Sequence, residues 1–169
     1  MQVLVTGASG LIGTALGAAL RARGDDVIEL GRSTSPVSWD PIAGTLSGAL
    51  PHVDAVVHLA GESIGSGRWN AARKERILQS RVRGTELLVR TFAERDDKPS
   101  VFVSSSAVGF YGNRGREELL DEQSTPGDDF LADVCVQWEA AAQPAAAAGM
   151  RLAIVRTSIV LTQIGRAHV

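Results

Sequence analysis

A single cysteine, Cys135, is all that this 169-residue chain carries. A disulfide needs two and a cysteine-cluster zinc site needs more, so both are excluded within the chain, and a reducing compartment is the default. Excess charge of one sign is missing too. The 17 basic and 19 acidic residues leave a net charge of −2, which gives no electrostatic basis for binding nucleic acid or an anionic membrane. No apolar run approaches the roughly 20 residues of a membrane span. No basic segment precedes the strand-like Val3-Leu4-Val5, so no secretory signal is read at the start. The expectation is a soluble cytoplasmic protein with a small-molecule ligand. Apolar residues make up 44% and charged residues 21%, enough to build a core in one domain of ordinary size or in a large part of a bigger one.

Short β-branched runs alternate with longer helical stretches. Gln2 to Thr6 reads as a buried strand. From Gly10 to Arg23 the apolar pairs Leu11/Ile12, Ala15/Leu16 and Ala19/Leu20 keep helical spacing. Further strands are expected over Asp26 to Leu30, Val37 to Trp39, Asp54 to Leu59, Ser100 to Ser104 and Arg151 to Arg156. Helices are expected over Arg68 to Arg95 and Phe130 to Gln143, with a kinked helix end near Pro144. Strands apolar on both sides and separated by helices describe an α/β fold, a doubly wound parallel sheet of Rossmann type. The polar stretch Gly112 to Asp129 reads as a substrate loop.

A strand at Arg151 to Arg156 normally leads to a crossover and a further element, yet only about a dozen residues follow. The end, Ile164-Gly165-Arg166-Ala167-His168-Val169, resembles the in-frame translation of a DNA-sequencing adapter. The expectation is therefore a domain that is incomplete over 1–163, with a non-native tail over 164–169.

The most informative segment is Val5-Thr6-Gly7-Ala8-Ser9-Gly10-Leu11-Ile12-Gly13. Its GxxGxxG spacing falls between the first strand and the first helix. One glycine permits a tight turn, another lets backbone approach a pyrophosphate, and the third lets helix pack on strand. The helix start offers free N–H groups and about half a positive charge to phosphates. Gly7, Ser9, Gly10, Leu11, Ile12 and Gly13 are thus candidate cofactor residues. An NAD-binding domain usually carries an acid on the ribose at the end of the second strand, about 20 residues on. Here the chain reads Leu30-Gly31-Arg32-Ser33. A guanidinium and a hydroxyl suit a 2′-phosphate, so NADP is favoured over NAD. A solvated strand end is the other reading of Arg32.

These residues, with His58-Leu59-Ala60-Gly61, Gly84-Thr85, and Ser104-Ser105-Ser106 before Tyr111-Gly112, resemble the extended short-chain dehydrogenase/reductases. More narrowly, Glu62, Arg68-Trp69, Ser80-Arg81-Val82, Asp129-Phe130-Leu131 and Trp138-Glu139-Ala140-Ala141 resemble the atypical epimerase-family branch sometimes called cell-division-inhibitor-like. The likeness covers residues 1 to 162, and it implies that 1–163 is a partial NAD(P)-binding domain whose C-terminal substrate domain is missing. It implies cofactor contacts at Leu59, Ala60, Gly61, Arg81 and Ser104, and an adenine contact at Asp40, which otherwise reads as a turn residue before Pro41.

The family's usual catalysis uses Ser, Tyr and Lys, the last two as YxxxK. Counting from Glu139, the Tyr position falls at Leu131 and the Lys position at Cys135. The two lysines, Lys74 and Lys98, lie elsewhere. Ser106 matches the serine, with Ser105 its neighbour, and Arg81 stands at the usual Asn. The candidate catalytic residues are therefore Ser106, to orient a carbonyl, and Tyr111 or Cys135, to handle the proton. Cys135 also fits a helical apolar stripe with Leu131, Val134 and Trp138, as a small buried hydrophobe. Tyr111 fits equally as a packed aromatic at the strand end. His58 has no carboxylate partner nearby in sequence that would point to catalysis. Trp69 reads more as a packing anchor than as a substrate contact.

Three functions stand at this point. The first is an NADP-dependent, epimerase-like oxidoreductase acting on a small hydroxyl- or carbonyl-bearing substrate. The second is a non-catalytic, NADP-responsive binding or regulatory protein. The third is a domain fragment without independent function. Self-association through the long Arg68–Arg95 helix is left open.

Overall fold

In a computed structural model, the structure describes residues 1–33, 37–65, 67–115, 117–161 and 167–168. The chain opens β1 (Gln2–Thr6), α1 (Leu11–Ala22), β2 (Asp26–Leu30), then β3 (Ser38–Asp40) and β4 (Thr45–Ser47). It continues through β5 (Ala55–His58), α2 (Ala71–Ala93), β6 (Val101–Ala107) and a 3₁₀ turn over Val108–Tyr111. It closes with α3 (Phe130–Ala142), α4 (Pro144–Ala147), β7 (Arg151–Thr157), β8 (Val160–Leu161) and β9 (Ala167–His168).

Five strands form one parallel sheet in the order β2-β1-β5-β6-β7. The order reverses at β1, which lies between β2 and β5. That switch point leaves a crevice at the strands' C-terminal ends, the usual ligand position in open α/β sheets. The register aligns Thr6, His58 and Ser104 in one row across the crevice edge.

Core packing follows strand alternation. Leu4, Val56 and Phe102 face α2, where Leu88 and Phe92 are fully buried. Val3, Val5 and Ala55 face α1 through Leu20. The expected cover on both faces holds over β1 and β5. Along β6 the buried positions are Phe102, Ser104 and Ser106, while the residues between them are half-buried. Among the described residues, helices therefore shield that strand on one face.

Several boundaries differ from the sequence expectation. Helix α2 starts at Ala71 rather than Arg68, because Asn70 Oδ1 accepts from Arg73 N at 2.9 Å and caps it. The third strand touches β2 through one parallel bridge, Gly31 to Ser38, and otherwise pairs antiparallel with β4. Pro144 opens a separate short helix rather than kinking α3. Residues 112–129 form no helix or strand among those described, and Arg114 ties the segment together by donating to Tyr111 O at 2.9 Å and Thr125 O at 2.7 Å. Most of the expected tail, 164–169, lies outside the described residues, and the backbone of Ala167–His168 pairs with Val160–Leu161.

The glycine turn has no spare volume. Gly7 sits at φ +68°, and a Cβ there would lie 2.9 Å from the carbonyl carbon of Leu59. A Cβ on Gly13 would come within 2.7 Å of Ala8 Cα. Gly13→Ala should therefore cost about 1–3 kcal/mol by overpacking backbone that cannot retreat. Urea unfolding of the two proteins measures this, and an unchanged midpoint would mean that α1 is not held so close to the turn.

Candidate nucleotide site and the adjoining polar cluster

A cavity of about 730 Å³ opens at the crevice between β1 and β5. The glycine turn (Gly7, Ala8, Ser9, Gly10) forms its floor, the end of β2 (Glu29 to Arg32) one side, and Leu59 to Ser63 the opposite side. Trp39 to Ile42 close one end, and Arg76 and Ser80 of α2 also line it.

The helix starts explain what this cavity can hold. Asn70 caps α2 and Asp129 caps α3, each with a side-chain oxygen on a backbone N–H. At α1 the cap is Gly10, and no side chain bonds the first amides. The open donors of α1 therefore begin at the cavity floor, an arrangement suited to phosphate oxygens. The turn is also too tight for side chains, so backbone can approach a ligand. Both features fit a dinucleotide.

Of the sequence candidates, Gly7, Ser9, Gly10, Arg32, Asp40, Leu59, Ala60 and Gly61 line the cavity. Leu11, Ile12 and Gly13 form the first turn of α1 behind it, and Ser33 follows Arg32 on the exposed end. Asp40 also serves the turn reading. Its Oδ1 accepts from the backbone N–H of Ile42 and of Ala43, both at 2.9 Å. Ser104 is buried and donates to Ser105 O at 3.3 Å. Arg81 lies against the loop rather than on the lining. Its Nη1 donates to Glu62 O at 3.1 Å and Ile77 O at 3.0 Å, and a Cβ on Gly61 would stand 3.2 Å from its Cζ. Burial pulls the Arg81 guanidinium below its ordinary range.

The catalytic candidates meet in a neighbouring cluster, and none of them lines the cavity. Ser106 Oγ donates to Glu139 Oε1 at 2.6 Å. Arg156 grips the same carboxylate with both prongs, Nε to Oε1 at 2.8 Å and Nη2 to Oε2 at 2.9 Å. Arg156 Nη1 donates to the Tyr111 hydroxyl oxygen at 3.0 Å, and its Cζ lies 3.5 Å from the centroid of the Phe110 ring. The Glu139 carboxylate raises the pKa of Arg156 further. The Cys135 thiol points to Ala107 O at 3.7 Å, and burial pushes it above the ordinary thiol range. It is therefore a thiol at neutral pH, the form without nucleophilic strength.

Sequence reasoning missed Glu139 and Arg156 as site members. The available signal was a carboxylate within the apolar stripe of a helix and an arginine ending an apolar strand. It also missed Glu29, Trp39, Arg76 and Ser80 as cavity lining. Trp69 is an anchor here: its Nε1 donates to Ile64 O at 3.0 Å and its ring stands edge-on to Phe130. Among the described residues, no three His, Cys, Asp or Glu side chains gather to hold a metal ion. No described helix is long and apolar enough to cross a membrane.

The sequence model of the NAD dependent epimerase/dehydratase family matches residues 3–163. The chain belongs to that family. An epimerase family protein of Mycobacterium leprae is 41% identical over 166 residues, covering 95% of this chain and 53% of the relative. Human epimerase family protein SDR39U1 (isoform 2), solved with NADPH, superposes with a TM-score of 0.84 at 35% identity, over 99% of this chain and 56% of that one. A nucleoside-diphosphate sugar epimerase of Corynebacterium glutamicum gives 0.80 at 42% identity, over 96% of this chain and 34% of that one. The chain spans about half the length of the curated relatives it matches.

In this epimerase-family chain His58 immediately precedes the cavity loop. It is fully buried, with Nδ1 2.6 Å from Thr6 Oγ1, Nε2 3.1 Å from Thr85 Oγ1, and its ring edge-on to Trp39. Burial, aided by the Arg81 charge, pushes its pKa down to about 3. In the unfolded chain it titrates near 6.5. Well above pH 6.5 the ring is neutral in both states and adds no pH dependence. Between pH 6.5 and 3 the unfolded chain binds a proton that the native one refuses, so stability falls by about 1.4 kcal/mol per pH unit. Urea unfolding at pH 7, 6 and 5 should show a shallower loss in His58→Phe than in the parent. Equal slopes would mean that the native ring accepts a proton.

Proposed function

We propose that the cavity binds NADP(H) and that the chain is the nucleotide-binding part of an epimerase-like oxidoreductase acting on a small hydroxyl- or carbonyl-bearing substrate. The observation that carries the binding is the uncapped start of α1 over a side-chain-free turn at the cavity floor. The diphosphate would lie on those amides. Arg32, at the end of β2 where an NAD site has its acid, would pair with the 2′-phosphate. The human relative solved with NADPH supports the same choice. When bound, the nicotinamide supplies hydride exchange.

The chain's own residues then have separable tasks. The Leu59–Gly61 backbone bounds the cavity opposite β2. Arg81 holds that loop from beneath, through Glu62 O. Ser106 keeps its hydroxyl hydrogen on Glu139, so toward a substrate it offers lone pairs and receives a hydroxyl's hydrogen bond. Tyr111 accepts from Arg156, and its own hydrogen has no acceptor among the described residues. It is the group left to donate a proton. Substrate recognition would draw on loop 112–129 and on parts of the longer protein. The protein would work in the cytoplasm.

One observation favours the second reading, a protein that binds NADP without turning it over. Two of the three protic candidates already donate within the protein, Ser106 to Glu139 and Cys135 to Ala107.

Titration calorimetry with NADPH and NADH tests binding. NADPH should bind more tightly, and Arg32→Ala should erase about a tenfold preference, the worth of one charge-assisted hydrogen bond. No heat with either nucleotide overturns the binding assignment, and equal affinities overturn the choice of NADP. NADPH oxidation across carbonyl substrates by the full-length protein then separates enzyme from binder. A rate unaffected by Ser106→Ala removes that serine from the chemistry.

A further inference from the structure

His58 has no part in the chemistry above, yet both of its ring nitrogens are engaged inside the protein. The direction of each bond follows from its neighbours. Thr85 Oγ1 spends its hydrogen on Arg81 O at 2.7 Å. Toward His58 it has only lone pairs, so Nε2 must carry a hydrogen. A neutral ring protonated there leaves a lone pair on Nδ1, and the Thr6 hydroxyl donates to it. The remaining lone pairs of Thr6 Oγ1 take the N–H of Leu59 at 3.2 Å and of Ala60 at 3.3 Å. Every hydrogen thus points one way, from the cavity loop through β1 and β5 to a carbonyl of α2.

The other end of the loop hangs from the same turn of that helix. Glu62 N donates to Ser80 Oγ at 3.0 Å, and Glu62 O accepts from Arg81 Nη1. The wall from Leu59 to Glu62 is therefore suspended between Thr6 and residues 80–81, and the His58 ring joins the two supports.

We propose that His58, as the neutral Nε2–H tautomer, is a positioning residue that sets the Leu59–Glu62 wall of the cavity against β1 and α2 in the geometry a nucleotide meets. Its consequence for binding rests on the NADP(H) reading of that cavity. An imidazolium cannot fill this role. Both its nitrogens are donors, so Thr6 would have to give up its own hydrogen-bond donation, and the Arg81 charge faces the ring. Phe at this position would keep the edge-on contact with Trp39 and lose both bonds.

Nitrogen-15 NMR of the ring in the unliganded protein tests the tautomer. Hydrogen on Nε2, unchanged from pH 8 to 5, is expected; hydrogen on Nδ1, or a ring that titrates in this range, overturns the proposal. In His58→Phe, amide exchange at Leu59 and Ala60 should speed up about tenfold, and the Kd for NADPH should rise about tenfold, as one lost hydrogen bond predicts. His58→Asn, whose amide oxygen reaches the place of Nδ1, should recover part of the protection. Should His58→Phe fail to fold, Thr85→Val removes the Nε2–H acceptor and carries the same comparison. Exchange and Kd equal to the parent would show that the ring only fills space. If the parent binds no nucleotide, the functional reading falls, and the tautomer and exchange results still decide the role of His58 in the loop.

Discussion

Main chain pressed against main chain, with no side chain between, is the constraint from which the rest of this structure follows. Gly7 lies so close to Leu59 that a methyl group would strike its carbonyl carbon, and Gly13 lies as close to Ala8. Because those contacts are bare, β1 can turn directly into α1 beside β5. The helix then starts at the sheet's switch point with its first amides unbonded by any side chain. The cavity and its suitability for phosphate are results of that close approach. The wall opposite β2 is built on the same contact, since Leu59 is both the neighbour of Gly7 and the first residue of the loop held by Thr6.

How far this was legible in the sequence depended on the range of the signal. Local periodicity placed β1, α1 and β2 nearly residue for residue, because glycine punctuation and apolar spacing act within a few positions. The start of α2 was misplaced by three residues, since Arg68 and Trp69 look helical and only the Asn70 cap ends the loop. The fate of the third strand was not readable. A three-residue run such as Val37–Trp39 says nothing about whether β2 or a later segment will pair with it, and β4 took it. The cofactor turn was legible because its chemistry is contained in nine consecutive residues. The cluster around Ser106 was not, since Glu139 is 33 positions away and Arg156 a further 17. Only the folded register brings them together.

That cluster also shows which side chains occupy the place where the resemblance expects the usual catalytic pair. Counting from the resemblance puts Leu131 and Cys135 at the tyrosine and lysine positions, and the cysteine is buried among the residues of an apolar helix face. The charge in the neighbourhood comes instead from Glu139 and Arg156, paired through two bonds and stacked on Phe110. A partly buried pair of this kind holds its members in one geometry more surely than it adds stability, because desolvation offsets much of the attraction. Its visible effect is on hydrogen direction. Ser106 is turned toward Glu139, and Tyr111 is turned so that its oxygen receives.

Gly61 and Arg81 lie twenty positions apart in sequence but behave as one site. The guanidinium fits beneath the loop because residue 61 has no side chain, and it is fastened there by two carbonyls. A methyl at 61 would stand 3.2 Å from the arginine's Cζ, so the guanidinium would have to give by a few tenths of an ångström, whereas a shorter residue at 81 would leave that methyl room. A change at either position is therefore felt at the other. Across an alignment, residues 61 and 81 should drift as a correlated pair, with the glycine relaxed only where the arginine has already gone.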